Sequence, residues 1–324
     1  MHLSLEVVAV GRANIDVLLK VERLPAKNEH LMCQQGHVSF GGSAANFAAQ
    51  SARLGVKTGL VCCVGDDVYG QLYLRELSRI GVDTDSILVL ADQPTGVFVI
   101  ATAPNDERII MVEPGANRFL EKHVLEEDYL ARARTIHVAG GLPMTISKAA
   151  EIATTEGMVL SLDPGKTAET IDYFSVLRHT DLLFVNEHEL REYFKVEPTE
   201  SEVRGLAKTF PGVVIVKMGS EGAIASDGFE FCTSRAFDVP VADTTGAGDA
   251  FAAGFLTSWT RLEKIEQALH MANAVAALKI TKIGAQNGQP TLDEVAKLLN
   301  KHGISIEPIL RSFKAGRQER PRRK

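Results

Sequence analysis

The sequence predicts an α/β protein, in which a three-layer, doubly wound and mostly parallel sheet carries helices on both faces and a small antiparallel β lid. Short apolar segments rich in β-branched residues alternate with segments of helical periodicity along almost the whole chain. Two stretches, at about 12–40 and 92–115, interrupt this alternation with strand patterns. With 324 residues, of which 45% are apolar, the chain can bury a large core, either as one α/β domain or as two domains.

The individual elements are predicted from local patterns. The run Leu5–Gly11 is short, apolar and β-branched, which is typical of a buried parallel strand. Phe251, Phe255 and Trp259 recur at helical spacing and predict a helix over 250–259. The other predicted strands of the large sheet are 58–64, 136–139, 158–163, 182–186 and 213–218, and the other predicted helices are 43–54, 69–80, one from 145, 263–280 and 291–299.

Turn residues predict the antiparallel parts. Thr95–Ala103 and Arg108–Glu113 flank the turn Pro104-Asn105-Asp106 and predict a lid hairpin. A second hairpin is predicted where Ala223–Ser226 and Phe229–Cys232 flank Asp227-Gly228. We therefore expect one domain over 1–302, whose lid excludes water from a site at the strand ends, followed by an extension over 303–324.

Composition and charge argue against several function classes. A net charge of −6 argues against nucleic-acid binding by the body of the protein. No signal-peptide pattern and no apolar run long enough for a membrane span occur, so we expect a cytoplasmic protein. Cys33, Cys62, Cys63 and Cys232 lack metal-ligand spacing and are expected to be reduced thiols. The basic residues of 311–324 predict a solvated, disordered tail, with an RNA-touching or membrane-touching arm as the alternative.

The segment Asp243-Thr244-Thr245-Gly246-Ala247-Gly248-Asp249 is the most informative one. Small residues at 246–248 let backbone N–H groups converge on a ligand, and the N-terminus of the helix that follows favours a phosphate. Asp249 in the first helical turn can accept a proton from an attacking hydroxyl. A plain turn followed by a favourable first-turn acid is the alternative.

Polar side chains and glycines near the start of the chain suit a sugar. Asn14 and Asp16 follow the first strand, where an amide and a carboxylate can grip neighbouring hydroxyls, although a simple turn also explains them. Gly41 and Gly42 precede a helix and permit close approach of the backbone to a ligand. Asn46, in the first turn of that helix, is expected to point at the same polyol.

Later strand ends suit a nucleotide. Asn186 and Glu189 follow a predicted strand and can hold Mg²⁺ through water, whereas an ordinary first-turn helix acid is the alternative for Glu189. Lys217, Gly219 and Gly222 close another strand, which suits passage of a polyphosphate over the backbone.

Taken in this order, the segments resemble the ribokinase-like carbohydrate kinases of the PfkB family over about residues 5–302. The similarity is most specific for the segment 243–251 and for Gly41-Gly42-x-x-x-Asn46, and Asn186-x-x-Glu189 supports it. The resemblance implies a ribokinase-like fold. It also implies phosphoryl transfer from ATP with Mg²⁺ to an alcohol.

The resemblance also implies roles for individual residues. Asp249 is the base, and the amides of Gly246, Ala247 and Gly248 form an anion hole. Glu189 organises Mg²⁺ through water. The implied substrate-binding residues are Asn14, Asp16, Gly41, Gly42 and Asn46, and the implied nucleotide-binding residues are Asn186, Lys217, Gly219, Gly222 and Asn273.

The segment 279–286 resembles the loop that binds a monovalent cation in ribokinase-like enzymes. The resemblance implies activation by K⁺. The implied ligands are Asp243, the Thr245 carbonyl, and the backbone carbonyls of Ile280, Ile283 and Ala285. A plain helix end followed by a loop is the alternative.

Two departures from the ribokinase pattern narrow the substrate. Ribokinases carry lysine at the position of Ser43 and an acidic residue near Gly140-Gly141-Leu142, and this chain has neither. We therefore expect phosphorylation of the primary hydroxyl of a ribose-containing molecule, with a nucleoside as first choice. Ribose 1-phosphate is the main rival, because basic residues near the lid can clamp a second phosphate or else are solvated lid charges. These residues are Arg12, His37, Arg108 and Arg118.

Other interpretations of the substrate, the phosphate donor and the function class stay open. Fructose and 2-keto-3-deoxygluconate are further substrate candidates, and ADP is not excluded as the phosphate donor. A ligand sensor or pseudokinase is the non-enzymatic alternative. A homodimer formed through the lid strands is expected from the resemblance alone.

Overall fold

The structure is a computed structural model that describes residues 4–104, 107–122, 125–140, 142–165 and 172–314. Its strands are β1 Val7–Gly11, β2 Asn14–Lys20, β3 Gln35–Gly41, β4 Thr58–Gly65, β5 Ile87–Leu90, β6 Gly96–Thr102, β7 Arg108–Glu113, β8 Thr135–Ala139, β9 Val159–Asp163, β10 Leu182–Asn186, β11 Val213–Lys217, β12 Ala223–Ser226 and β13 Phe231–Ser234. Its helices are α1 Ser43–Arg53, α2 Val68–Arg79, α3 Glu127–Leu130, α4 Pro143–Glu156, α5 Tyr173–Leu177, α6 Glu187–Phe194, α7 Glu200–Ala207, α8 Ala247–Leu262, α9 Ile265–Lys279, α10 Leu292–Lys301 and α11 Glu307–Lys314.

The large sheet has the strand order β13-β12-β11-β10-β9-β8-β1-β4-β5. Its strands are parallel from β11 to β5, and the hairpin β12–β13 adds an antiparallel edge. The carboxyl ends of β1, β9, β10 and β11 therefore meet at one edge. In open α/β sheets this is the edge at which ligands bind.

Helices bury both faces of this sheet, as the alternation of elements predicts. On β1, Val8 and Val10 pack in the same apolar cluster as Ile146 of α4. Val7 and Ala9 point the other way and pack in the same cluster as Phe47 of α1. Because both faces are covered, β1 is apolar at successive positions and does not alternate with polar residues.

The predicted lid is a four-stranded sheet in the order β3-β2-β6-β7. Its outer pairs, β2–β3 and β6–β7, are antiparallel, whereas the central pair β2–β6 is parallel. The parallel pair arises because β2 and β6 follow β1 and β5, which run in the same direction, so both strands leave the large sheet at the same edge. The lid is thus mixed and not purely antiparallel.

The late hairpin and one edge of the large sheet differ from the predictions. The second strand of the late hairpin begins at Phe231 and not at Phe229. The reason is that the Asp227 carboxylate accepts the N–H groups of Phe229 and Glu230, at 2.9 and 2.7 Å, which lengthens the turn. The short edge strand β5 was not predicted, because its four residues carry too little pattern.

The extension after residue 302 begins with a packed helix. Ile309 of α11 is buried, and the guanidinium carbon of Arg261 in α8 lies 3.8 Å from the Phe313 ring centroid. The expectation of a disordered tail from 311 is therefore wrong for 311–314, because these residues complete an amphipathic helix that covers α8. The rest of the predicted tail, Ala315–Lys324, lies outside the described residues.

Within the described residues, no helix is both long and apolar enough to cross a membrane.

Two helical glycines offer a test of the packing that positions α8. A Cβ added at Gly254 of α8 would lie 2.9 Å from Val275 Cγ2 of α9, whereas a Cβ at Gly205 of α7 would meet nothing within 4 Å. We expect Gly254→Ala to lower the free energy of unfolding by about 1–3 kcal/mol, because α8 and α9 must move apart. Gly205→Ala should raise it by about 0.5–1 kcal/mol. Urea unfolding measures both, and equal stabilities would contradict the close helix packing.

Candidate active site

The residues predicted to bind substrate and take its proton come together at the carboxyl edge of the sheet. Asp249 lies in the first turn of α8, and Asn46 lies in the first turn of α1. The Asn46 Nδ2 atom donates to Asp249 Oδ2 at 2.8 Å, although 203 positions separate the two residues. Asn14 and Asp16 lie on β2 beside Gly41 of β3.

Asp249 has the electrostatic environment of a general base. Burial raises the pKa of its carboxyl to about 6, since an ionised carboxylate is poorly solvated there. The hydrogen bond from Asn46 opposes this rise, as do the charges of Lys217 and Lys279, whereas Asp163 adds to it. A carboxyl with a pKa near 6 is ionised at neutral pH and is a stronger base than an exposed aspartate.

Asp16 is a buried carboxyl whose charge acts on Asp249. Burial and the charge of Asp249 raise the pKa of Asp16 to about 7, while the hydrogen bond from Asn14 Nδ2, at 2.5 Å, lowers it. A Cβ at Gly41 would lie 2.2 Å from Asp16 Oδ2. Only glycine at position 41 therefore leaves room for this carboxylate.

Gly42 joins the lid strand β3 to α1. Its φ of 94° lies in the region that glycine adopts readily, and a Cβ there would lie 2.4 Å from the Arg12 carbonyl oxygen. Gly42 thus permits the sharp turn that brings Asn46 beside Asp249.

A partly buried ion pair lies next to the start of α8. Lys217 Nζ, at the end of β11, is 2.6 Å from Asp163 Oδ2, at the end of β9. Burial lowers the pKa of Lys217, but the charges of Asp163 and Glu189 outweigh this effect and raise it. An ideal Cβ on Gly248 would be 3.5 Å from Lys217 Nζ, so the ammonium lies close to the predicted anion hole. The sequence predicted Lys217 but not Asp163, whose only signal was its place at a strand end.

Asn186 and Glu189 form a capping box at the start of α6. Asn186 Oδ1 accepts the Glu189 N–H and Glu189 Oε2 accepts the Asn186 N–H, both at 2.9 Å. Burial raises the pKa of Glu189, while Lys217 opposes the rise. Glu189 is thus an acid in the first turn of a helix, as the alternative interpretation stated. Its binding of Mg²⁺ stays a prediction. Over the described residues, no group of three or more His, Cys, Asp and Glu side chains could hold a metal ion.

The loop before α8 is held by Asp243. Its Oδ1 accepts from the Thr245 N–H and hydroxyl, at 2.9 and 2.7 Å, and its Oδ2 accepts from the Gly284 N–H at 2.8 Å. Burial opposes ionisation of Asp243, but these hydrogen bonds prevail and lower its pKa. Gly246 then adopts a φ of 75°, and Ala247 N–H donates to the Thr244 carbonyl at 3.1 Å.

Lys279 was not predicted as a functional residue. This fully buried side chain places Nζ 3.0 Å from the Asp243 carbonyl oxygen. Burial lowers the pKa of Lys279, and the charges of Asp243 and Asp249 oppose this effect. Little in the sequence indicated that Lys279 is buried, because a lysine near the end of a helix is ordinarily a solvated charge.

Two of the carbonyls predicted to bind K⁺ already accept hydrogen bonds. The Ile280 carbonyl accepts the N–H groups of Ala242 and Asp243, and the Ile283 carbonyl accepts from Asn287 Nδ2. The Ala285 carbonyl oxygen would lie 2.9 Å from a Cβ on Gly246. The segment thus packs against the loop as predicted, and its binding of a cation stays a prediction.

The remaining nucleotide-binding predictions fall on the turn after β11 and on α9. Gly219 and Gly222 have φ values of 54° and 102°, and a Cβ on Gly222 would lie 2.1 Å from the Ser234 carbonyl oxygen. Asn273 is buried and donates to the carbonyls of Ser234 and Arg235, at 2.9 and 3.3 Å. In this structure Asn273 therefore holds the segment after β13, and its contact with a nucleotide stays a prediction.

The basic residues near the lid differ in exposure and in their partners. Arg118 pairs with Glu113 at 3.1 Å, and both side chains are more than half exposed. Arg108 and His37 are exposed, and Arg12 is partly buried. Gly141 belongs to the segment 140–142, at which ribokinases carry an acidic residue. It lies outside the described residues.

Comparison with known proteins identifies the family. Residues 4–292 match the model of the pfkB family carbohydrate kinases. The chain belongs to the PfkB family. This PfkB protein is 35% identical to the ATP-dependent ribose-1-phosphate kinase of Halopiger xanaduensis, over 91% of this chain and 98% of that one.

Solved structures agree with this membership. The crystal structure of the Methanocaldococcus jannaschii nucleoside kinase, described as an archaeal member of the ribokinase family, superposes with a TM-score of 0.83 at 26% identity. It covers 93% of this PfkB protein and all of its own chain. Arabidopsis thaliana ribokinase with ribose and ATP gives a TM-score of 0.82 at 29% identity, over 92% and 99% of the two chains. The ribokinase-like fold, the lid and an activity as phosphotransferase to an alcohol group are thereby confirmed.

The raised pKa of Asp16 leads to a testable effect on stability. Because the folded protein holds this proton up to a pH of about 7, the contribution of Asp16 to stability is lost as the pH rises from about 4 through 7. Asp16→Asn keeps an oxygen for Asn14 and removes the charge. We expect its Tm, relative to the unsubstituted protein, to rise between pH 5 and pH 8 by roughly 2 °C or more. Thermal unfolding measures it.

Asp238→Asn is the control for this experiment, since Asp238 is exposed. If the relative Tm of both variants changed with pH in the same way, the raised pKa of Asp16 would be contradicted.

Proposed function

We propose that the protein transfers the γ-phosphoryl group of ATP to the primary hydroxyl of a ribose-containing small molecule. The observation that carries this proposal is the position of Asp249. Its carboxylate lies in the first turn of α8, accepts a hydrogen bond from Asn46, and lies near the partly buried ammonium of Lys217. This arrangement combines a base with positive charge where phosphoryl transfer needs both.

Each group of residues has its own role in the proposed reaction. Asn14 and Asp16 hold the sugar hydroxyls, and Asp249 takes the proton of the attacking hydroxyl. The amides of Gly246, Ala247 and Gly248 and the ammonium of Lys217 face the charge of the phosphoryl group in transfer. The Ala247 amide must exchange its bond to the Thr244 carbonyl for one to the phosphate.

Mg²⁺ is part of the proposal. It would bind the phosphates of the donor and reach Glu189 through water, since this cation keeps several waters in phosphate sites. One carboxylate oxygen of Glu189, Oε2, serves the helix cap. Oε1 is the oxygen proposed for the magnesium water shell.

Activation by K⁺ and the choice of ATP over ADP are also part of the proposal. The Halopiger protein is named for ATP, and the Arabidopsis structure contains it. Asn186, Gly219, Gly222 and Asn273 would line the nucleotide. For K⁺, the support is the packing of 280–285 against the loop before α8.

The acceptor is proposed to be a nucleoside or ribose 1-phosphate. The nucleoside kinase of Methanocaldococcus supports the first, and the kinase of Halopiger supports the second. Arg118 bears on the choice, because its exposed ion pair with Glu113 is easily exchanged for one with a substrate phosphate.

A coupled assay of ADP release tests the function. Mg-ATP is supplied with nucleosides, ribose 1-phosphate, ribose, fructose or 2-keto-3-deoxygluconate, each with and without K⁺. We expect turnover with nucleosides or ribose 1-phosphate and little with the other sugars. Turnover confined to fructose or 2-keto-3-deoxygluconate would overturn the proposed acceptor, and silence with every acceptor would overturn the proposed reaction.

Asp249→Asn tests the base. We expect kcat to fall by about 10² to 10⁴-fold while both substrates still bind, because the amide cannot accept the proton. In the unsubstituted protein, kcat/KM should fall below a pH of about 6, since protonation of Asp249 removes the base. Steady-state kinetics and calorimetric binding measure these effects. A variant with near-normal kcat would exclude Asp249 from this role.

Glu189→Gln tests the magnesium contact. Glutamine still accepts the Asn186 N–H, so the cap persists, but the charge toward Mg²⁺ is lost. We expect the Mg²⁺ concentration for half-maximal rate to rise severalfold. Glu187→Gln is the matched control in the same helical turn. An equal effect in both variants would contradict a specific role of Glu189.

A cytoplasmic homodimer completes the proposal. Ile109, Ile110, Met111 and Val112 are exposed on the lid edge strand β7, and a second lid can cover them. All four cysteines are free thiols, which suits a reducing compartment. Sedimentation velocity distinguishes the dimer from a monomer.

A further inference from the structure

A chain of hydrogen bonds, buried up to Asn46 and part-buried at Asp249, runs from the lid to Asp249. The Tyr73 hydroxyl donates to the Gly41 carbonyl at 2.6 Å. Gln286 Nε2 donates to the Tyr73 oxygen at 2.9 Å and to Asn46 Oδ1 at 3.0 Å. Asn46 Nδ2 then donates to Asp249 Oδ2 at 2.8 Å.

The chemistry of these groups fixes the direction of every bond. A backbone carbonyl only accepts, so the single hydroxyl proton of Tyr73 is committed to Gly41. The Tyr73 oxygen therefore accepts, and the Gln286 atom that faces it is the NH₂ group. The second hydrogen of that NH₂ group meets Asn46, which must present its carbonyl oxygen. The NH₂ group of Asn46 is thereby left to face Asp249.

We propose that Gln286 is a positioning residue for the base: with Tyr73, it holds the Asn46 amide so that the NH₂ group, and not the carbonyl oxygen, faces Asp249. The inference rests on the proposed function, which assigns Asp249 as the base. A flipped amide would set an oxygen against the carboxylate. The ionised form of Asp249 would then lose its hydrogen bond and be repelled.

Burial makes this orientation depend on the protein and not on water. Tyr73, Asn46 and Gln286 are 0%, 4% and 5% exposed, so solvent does not supply alternative partners. The Phe40 ring stacks on the Tyr73 ring with 4.7 Å between centroids, which holds the hydroxyl in place.

Other charged groups also act on Asp249 and are the same in every variant, so each variant is compared with the unsubstituted protein over one pH range, in which Asp16 also titrates. Asp16 comes from β2, Asp163 from β9, Lys217 from β11 and Lys279 from α9. Since no variant below alters them, a change in the titration of Asp249 reports on the Asn46 amide.

Gln286→Met is the central variant, because methionine keeps the size of the side chain and removes both donors. We expect the acid limb of kcat/KM to move up by about one pH unit. With a limb starting near pH 6, kcat/KM at pH 5.5 falls roughly eightfold, while at pH 9 it changes less than twofold. The acceptor KM should stay near its original value.

Gln289→Met is the matched control. Gln289 Nε2 donates to the backbone carbonyl of the same Asn46, at 2.7 Å, and not to its side chain. We expect its acid limb to stay in place. Tyr73→Phe removes the hydroxyl that orients Gln286 and should move the limb in the same direction by a smaller amount. It preserves the ring and so tests the proposal even where Gln286→Met fails to fold.

A direct titration separates this inference from the proposed function. The ¹³C carboxyl signal of Asp249, assigned by its loss in Asp249→Asn, gives its pKa without turnover. A pKa raised in Gln286→Met and Tyr73→Phe but not in Gln289→Met supports the inference, even where no acceptor is phosphorylated. A pKa unchanged in the folded variants, or a uniform loss of kcat at every pH, would overturn it.

Discussion

The start of α8 is the constraint on which the site depends. Gly246 turns the chain with a positive φ, and a side chain there would press against the carbonyl of Ala285. The helix can therefore begin in direct contact with the segment that follows α9. This contact places the first amides of α8 and the Asp249 carboxylate together at the N-terminal end of the helix, where the helix dipole is positive.

Charged groups of both signs surround the start of α8. The carboxyls of Asp16 and Asp249 have raised pKa values. Lys217 and Lys279 bring ammonium groups from β11 and α9. Burying these groups costs solvation that their mutual attraction only partly offsets. The same low solvation strengthens the field at a phosphoryl group in transfer, so a cost to stability serves the chemistry.

The lid is connected to Asp249 by a chain of hydrogen bonds. Gly41 ends the lid strand β3, and its carbonyl begins the chain through Tyr73, Gln286 and Asn46. Its neighbour Gly42 makes the turn into α1. The paired glycines thus serve two purposes. They admit the Asp16 carboxylate, and they link the position of the lid to the orientation of the amide that faces Asp249.

The sequence by itself determined the α/β fold, the lid, and the cluster of Asn14, Asp16, Asn46 and Asp249, because periodicity and turn residues are local and parallel strand ends share one edge. The start of β13 at Phe231 depended on hydrogen bonds from the backbone to the Asp227 side chain, and the alternation of residues in a strand does not reveal such bonds. Only the tertiary structure decided the partners of these groups. Asp163 meets Lys217 across 54 positions, and Tyr73 meets Gln286 across 213, so neither pair leaves a local signal. Lys279 likewise leaves no local signal, because its ammonium is buried only by the packing of α9 against the loop before α8.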